Sequence, residues 1–168
     1  MDRLIAAGEI PPFVVVMPFE SPAYYNTFNY AITRDLLHWL AENQGVCDQF
    51  ECRAIGGISR GGGWALYGVF QEPGIFSALG LHSTPAFDDT PYYIRRAIGT
   101  MSENQYPRIY IDIGAKDYWY TYAWNVKVFF DENEIAHEWH ENEGKHENAY
   151  WETHLAEYLR WYGAGWSQ

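Results

Sequence analysis

The sequence predicts an α/β fold on a mostly parallel sheet. Short apolar runs bounded by Pro and Gly alternate with stretches of helical apolar spacing. No repeat or low-complexity linker interrupts the alternation. Length agrees: 168 residues suit one domain, 1–168. Such a chain buries about two-thirds of its unfolded surface and needs no disulfide scaffold or metal to fold.

The elements follow in order. Phe13-Val14-Val15-Val16-Met17, between Pro12 and Pro18, reads as a short buried strand. Thr27 to Asn43 carries Ile32, Leu36, Leu37 and Leu40 at helical spacing. Arg53 to Ile58 is a second strand, followed by a glycine-rich turn and a helix through Phe70. Ser77 to His82 and Arg108 to Ile113 are the third and fourth strands. Tyr118 to Glu132 reads as a helix, Ala136 to Glu141 as a fifth strand, and Ala149 to Tyr162 as a closing amphipathic helix. Right-handed crossovers would then place the turns after Ile58, Ile113 and Glu141 on one edge, where ligands bind in open parallel sheets.

Composition narrows the function. Eleven Lys and Arg against 22 Asp and Glu give a formal charge of −11, which argues against nucleic acid and anionic membrane surfaces as partners. Aromatic residues reach 18%, a surplus that suits either an aromatic-lined surface or an aromatic-rich core. No stretch has the length of a transmembrane helix, and the start, Met1 to Ile5, shows no signal-peptide pattern. Localisation stays open. Cys47 and Cys52 lie five apart; a local disulfide and two free thiols both fit, and no second cysteine pair exists to build a zinc site. The acidic run from Asp131 to Glu147 reads as a solvated face.

The chemistry-bearing signal is Gly57-Ile58-Ser59-Arg60-Gly61. It matches G-x-S-x-G and falls between a predicted strand and a predicted helix, the context that motif requires. A serine on so sharp a turn needs neighbours with almost no side chain. A glycine-rich packing corner is the plain alternative. A nucleophilic serine needs a base, and the base a carboxylate to orient it. Asp117, after the fourth strand, is preferred to Asp112, which lies within that strand and points to a sheet face. Among six histidines, His146 follows the fifth strand on the correct edge and after the acid. His38 and His154 lie within helices, and His82 ends a strand. His137 and His140 lack the spacing of a zinc helix, so no metal is expected. No cofactor is implied.

These residues resemble the putative-esterase branch of the α/β-hydrolases, which includes feruloyl and acetyl-xylan esterases, S-formylglutathione hydrolase and mycolyltransferases. The similar segments are Pro12 to Pro18, Arg53 to Gly62, Gly114 to Asp117, and Gly144 to His146 with Tyr150-Trp151 and His154-Leu155. The resemblance implies a serine carboxylic-ester hydrolase with Ser59 as nucleophile, Asp117 as orienting acid and His146 as general base. The backbone N–H of Arg60 would be one oxyanion donor. Feruloyl or acetyl sugar esters would be the substrates, with Phe19, Tyr24, Tyr25, Tyr118, Trp119 and Trp151 as candidate lining; transfer to a sugar would share the same acyl-enzyme. Relatives are often secreted.

Two positions depart from the family pattern: Asn148, near which relatives often carry Trp, and Lys145, where a second Gly is common. The larger departure is at the amino end. Family members begin with further strands, one ending in a His-Gly turn that helps build the oxyanion hole, whereas this chain opens with a helix from Asp2 to Ala7. The strand left out would lie between those at Phe13 and Ile58. The expectation is therefore a truncated or minimal α/β-hydrolase of about five strands, with a gap, a shifted register or an exposed edge that a homo-oligomer could complete. The alternative is a non-catalytic binding module with an incomplete oxyanion hole.

Overall fold

A computed structural model describes residues 1–20 and 25–166. Its sheet has four parallel strands in the order β1 (Ala54–Ile58), β2 (Ala78–His82), β3 (Arg108–Gly114) and β4 (Glu138–Asn142). Ile58 pairs with His82, His82 with Asp112 and Gly114 with Asn142, so the carboxyl ends share one edge. The helices are α1 (Asp2–Ala6), α2 (Tyr25–Tyr30), α3 (Leu37–Gln44), α4 (Arg60–Gln71), α5 (Thr90–Ile98), α6 (Tyr120–Glu132) and α7 (Asn148–Gly163). A π-helical stretch, Ala31–Leu36, joins α2 to α3, so the helix expected over 27–43 forms with one wide turn in its middle.

Alternation along the strands assigns the faces. Leu79, Leu81, Ile109 and Ile111 pack with Leu66, Val69 and Phe70 of α4 and Val126 and Phe130 of α6. Tyr110 and Asp112 point the other way, toward α7, where they meet Glu157 and Tyr158. Every residue of β2 is buried, as expected of a strand covered on both faces. Cys47 and Cys52 form a disulfide with Cα atoms 6.1 Å apart, closing the loop between α3 and β1.

One expected strand is not a strand. Residues 13–17 lie outside the sheet, and among the described residues the segment from Pro11 to Glu20 makes no backbone–backbone hydrogen bond. Most of its residues are exposed, Met17 by 86%, while Pro11, Phe13 and Glu20 are half-buried. The sheet therefore has four strands, not five. The reason is spatial: among the described residues β1 pairs with β2 alone, and the segment stands off from β1's other edge. A cavity of about 750 Å³ separates them, lined by Val14 and Val16 on one side, Ile55 on the other, and by Ile32, Leu36 and Tyr162. Its walls come from helices on both faces of the sheet, so it has the form of an unfilled strand position. The family-derived gap lies between the same two segments.

Candidate active site

The turn after β1 forces Ser59 into an unusual backbone conformation. Ser59 has φ 53° and ψ −122°, and α4 begins at the next residue. Its N–H donates to the carbonyl of His82 (2.7 Å), and its carbonyl accepts from Gly63 N–H (3.1 Å). A Cβ on Gly57 would fall 2.2 Å from the Gly61 carbonyl carbon, so the return of the chain demands glycine there. Gly61 itself is not crowded. The second steric requirement sits at Gly62, where a Cβ would fall 1.8 Å from Thr84 Oγ1. The spacing rule thus identifies one crowded glycine and misses the other by one residue.

Asp117 and His146 come to this turn from two linked loops. Ala115 N–H donates to Asn142 O (2.8 Å) and Lys116 N–H to Gly144 O (2.9 Å), which ties the loop after β3 to the loop after β4. His146 Nδ1 lies 2.9 and 3.1 Å from the two Asp117 carboxylate oxygens, and its Nε2 lies 2.9 Å from Ser59 Oγ. Asp117 is buried and also accepts the Trp119 backbone N–H (2.8 Å). With Nδ1 protonated toward Asp117, Nε2 is left as an acceptor for the Ser59 hydroxyl. The three side chains form one unbroken hydrogen-bonded row.

The other candidates take separate places. Arg60 turns its side chain away: its guanidinium bonds Glu20 (Nε to Oε2, 2.8 Å) and lies over the Trp64 and Phe87 rings. That bond holds the Glu20 carboxyl below the usual carboxylate range. Tyr118 packs on the His146 ring at 4.5 Å and is 69% exposed, while Trp151 meets the same ring edge-on at 5.0 Å. Trp119 meets Tyr118 at a tilt and Tyr122 edge-on. Phe19 is exposed and directly precedes Glu20, the partner of Arg60. Tyr24 lies outside the described residues, as does the Tyr25 side chain.

Asp112, the rival acid, faces away from His146 and is taken by His82, Tyr150 and Tyr158. His38 pairs with Glu42, and His154 with Glu157. His137 bonds the carbonyl of Ile135, and His140 lies near Glu138. No cluster of three or more metal-binding side chains occurs among the described residues, and no described helix is long and apolar enough to cross a membrane.

No sequence motif marks Ser83. It follows β2 on the same edge, shares the positive φ of Ser59 (53°), and accepts the Trp151 indole N–H (3.0 Å). Its place at a strand's carboxyl end was the available signal.

The profile of the family described as Putative esterase matches residues 1–162. No curated protein sequence matches the chain. Among solved structures, it superposes on a ferulic acid esterase with a TM-score of 0.78 and 20% identity, over 98% of this chain and 75% of that one. It is similar to an S-formylglutathione hydrolase from Staphylococcus aureus (TM-score 0.71, 15% identity, 82% and 61%). It is also similar to a ferulic acid esterase from Anaeromyces mucronatus in complex with ferulic acid (0.73, 16%, 94% and 68%). At these identities the likeness is one of fold, α/β with a parallel sheet, and the chain spans 61–75% of those three proteins.

Proposed function

The chain belongs to the Putative esterase family, and from that premise we propose that it hydrolyses carboxylic esters through an acyl-enzyme on Ser59. The observation that carries the reading is the row from Ser59 Oγ through His146 to Asp117, with 2.9 Å at each joint. Those separations lie within proton-transfer reach.

In the first half, Ser59 Oγ attacks the ester carbonyl while His146 Nε2 takes its proton. The Arg60 backbone N–H, at the start of α4, steadies the oxyanion. The tetrahedral intermediate collapses, the acyl–oxygen bond to the alcohol breaks, and His146 returns the proton to the departing alkoxide. In the second half, water gives a proton to His146 and attacks the acyl carbon, and the Ser59–acyl bond breaks with the proton returned to Oγ. Asp117 keeps Nδ1 protonated throughout and stabilises the imidazolium.

For substrate, the reading is a feruloyl or acetyl sugar ester. Its support is the contact of both Tyr118 and Trp151 with the His146 ring, an aromatic surface on which flat rings can stack. Trp119 extends that surface, and Phe19 would bound it near Arg60. The unpaired edge of β1 belongs to the same proposal: a strand from a second copy, entering the cavity between β1 and the segment at Val14 and Val16, would complete the sheet. Light scattering tests this, a mass of two chains supporting it and a mass of one overturning it.

The test of the chemistry needs no knowledge of the ester. A fluorophosphonate requires an activated serine, so intact mass should show one adduct on the parent protein and none on Ser59→Ala. A folded parent protein that stays unlabelled would overturn the esterase reading and favour the binding module.

A further inference from the structure

We propose that Tyr150 is a positioning residue for His146, acting through a buried carboxylate that the reaction does not use; this rests on His146 being the base. Asp112 is fully buried on β3. A carboxylate there costs several kcal/mol of desolvation unless its oxygens are occupied. They are: Oδ1 lies 2.6 Å from His82 Nδ1, and Oδ2 accepts the hydroxyls of Tyr150 (2.8 Å) and Tyr158 (2.7 Å). Burial first, and the Asp112 charge next, push both phenols far above their ordinary range, so each stays a donor. Helix α7 is therefore pinned to the sheet at a fixed depth by two hydroxyls eight residues apart on one face.

The two tyrosines differ in what else they touch. Tyr158 lies against the His82 ring, 3.9 Å between centroids, beneath the sheet edge. Tyr150 reaches the loop that carries the base. Its hydroxyl accepts from Asn142 Nδ2 (3.3 Å), at the end of β4. Its ring supports Gly144, where φ is 149° and a Cβ would fall 2.4 Å from Tyr150 Cδ2. Gly144 in turn accepts from Lys116 N–H, next to Asp117. One hydroxyl thus joins β3, the end of β4 and the first turn of α7, the elements from which acid and base project. Tyr158 joins only helix and sheet. A displacement of about 1 Å at a reacting group can cost about 10²-fold in rate, so the two hydroxyls should differ in what their loss does to kcat.

The experiment pairs Tyr150→Phe with Tyr158→Phe, since each removes one donor to the same Asp112 oxygen. Thermal midpoints, kcat and KM on one chromogenic ester, and the fluorophosphonate labelling rate are measured for both. Both variants should melt lower than the parent. Tyr150→Phe should lose about 10- to 100-fold in kcat, with KM unchanged, and should label more slowly. Tyr158→Phe should keep the parent's kcat below its melting range. Parent-like kcat in folded Tyr150→Phe overturns the proposal, and so does an equal loss in Tyr158→Phe, which would make the effect one of α7 docking alone. Should Tyr150→Phe not fold, Asn142→Ala removes the hydroxyl's other bond. It should lower kcat several-fold, and parent-like kcat there overturns the proposal equally. A parent protein that neither labels nor turns over refutes the reading of Ser59 and His146 itself, and this is seen before either variant is made.

Discussion

Ser59→Ala and His146→Ala are each expected to cut ester turnover by about 10⁴–10⁶-fold, and the double variant to be no worse than either single one. The reason is the joint geometry. In the proposed reaction Ser59 is a weak nucleophile unless Nε2 of His146, 2.9 Å away, removes its proton, so losing either partner would remove the same step. Independent roles would instead multiply the two losses. For Ser59→Ala the folded state should change little, whereas His146→Ala leaves buried Asp117 without its partner, removes the ring packed on Tyr118 and Trp151, and should melt lower. Ser59 holds the turn through its backbone bonds to His82 and Gly63, which Ala retains, and a stability change within about 0.5 kcal/mol is the norm for a substitution that removes no packing. Steady-state rates on a chromogenic ester, with melting curves for each protein, check this. Ser59→Ala with parental turnover would remove Ser59 from the reaction; a double variant far below both singles would separate the two residues' roles. The parent's own rate sets how much loss can be read, and an oxyanion hole short of one donor would lower that rate by about 10²–10³.

The elements legible in the sequence are those whose signal is local. The runs at Ala54, Ala78 and Arg108 are strands because β-branched and apolar residues end in turns with partners on hand, and α4 follows its glycine turn as the motif requires. Phe13 to Met17 has the same pattern and fails. A strand exists only through a neighbour's hydrogen bonds, and no local pattern records whether that neighbour is present. Helix α5 carries Pro91 in its first turn, a start signal, yet the Asp88-Asp89-Thr90-Pro91 cluster reads equally as a loop. The π-helical turn at Ala31–Leu36 has no sequence mark at all.

The same contrast holds within the site. Strand ends and chain order point to Ser59, Asp117 and His146, and the fold brings those three side chains together. The supports were not legible. The crowding at Gly62 comes from Thr84, twenty-two residues on, and the grip on Tyr150 comes from Asp112, thirty-eight residues earlier. Aromatic positions were harder still. Tyr118 and Trp151 contact His146, yet nothing in their spacing separates them from the aromatic pairs of the core, such as Phe70 with Phe130.

Asp117→Asn is expected to lower kcat by about 10³–10⁴-fold while leaving the fold and Ser59 in place. Asn can still accept the Trp119 N–H through its side-chain oxygen, so the loop after β3 keeps its shape. What changes is the histidine. The carboxylate now facing Nδ1 from 2.9 Å requires a proton on that nitrogen. An amide can instead donate to Nδ1, which moves the proton to Nε2 and removes the acceptor that Ser59 needs. The imidazolium formed during attack also loses its adjacent negative charge, a loss enlarged by the burial of Asp117. Both effects act on the chemical step, so kcat should fall with little change in KM, and fluorophosphonate labelling should slow in parallel. A loss below about tenfold would assign the orienting role elsewhere. Asp112 could then take it only by breaking its bonds to Tyr150 and Tyr158, with a melting temperature lowered to match.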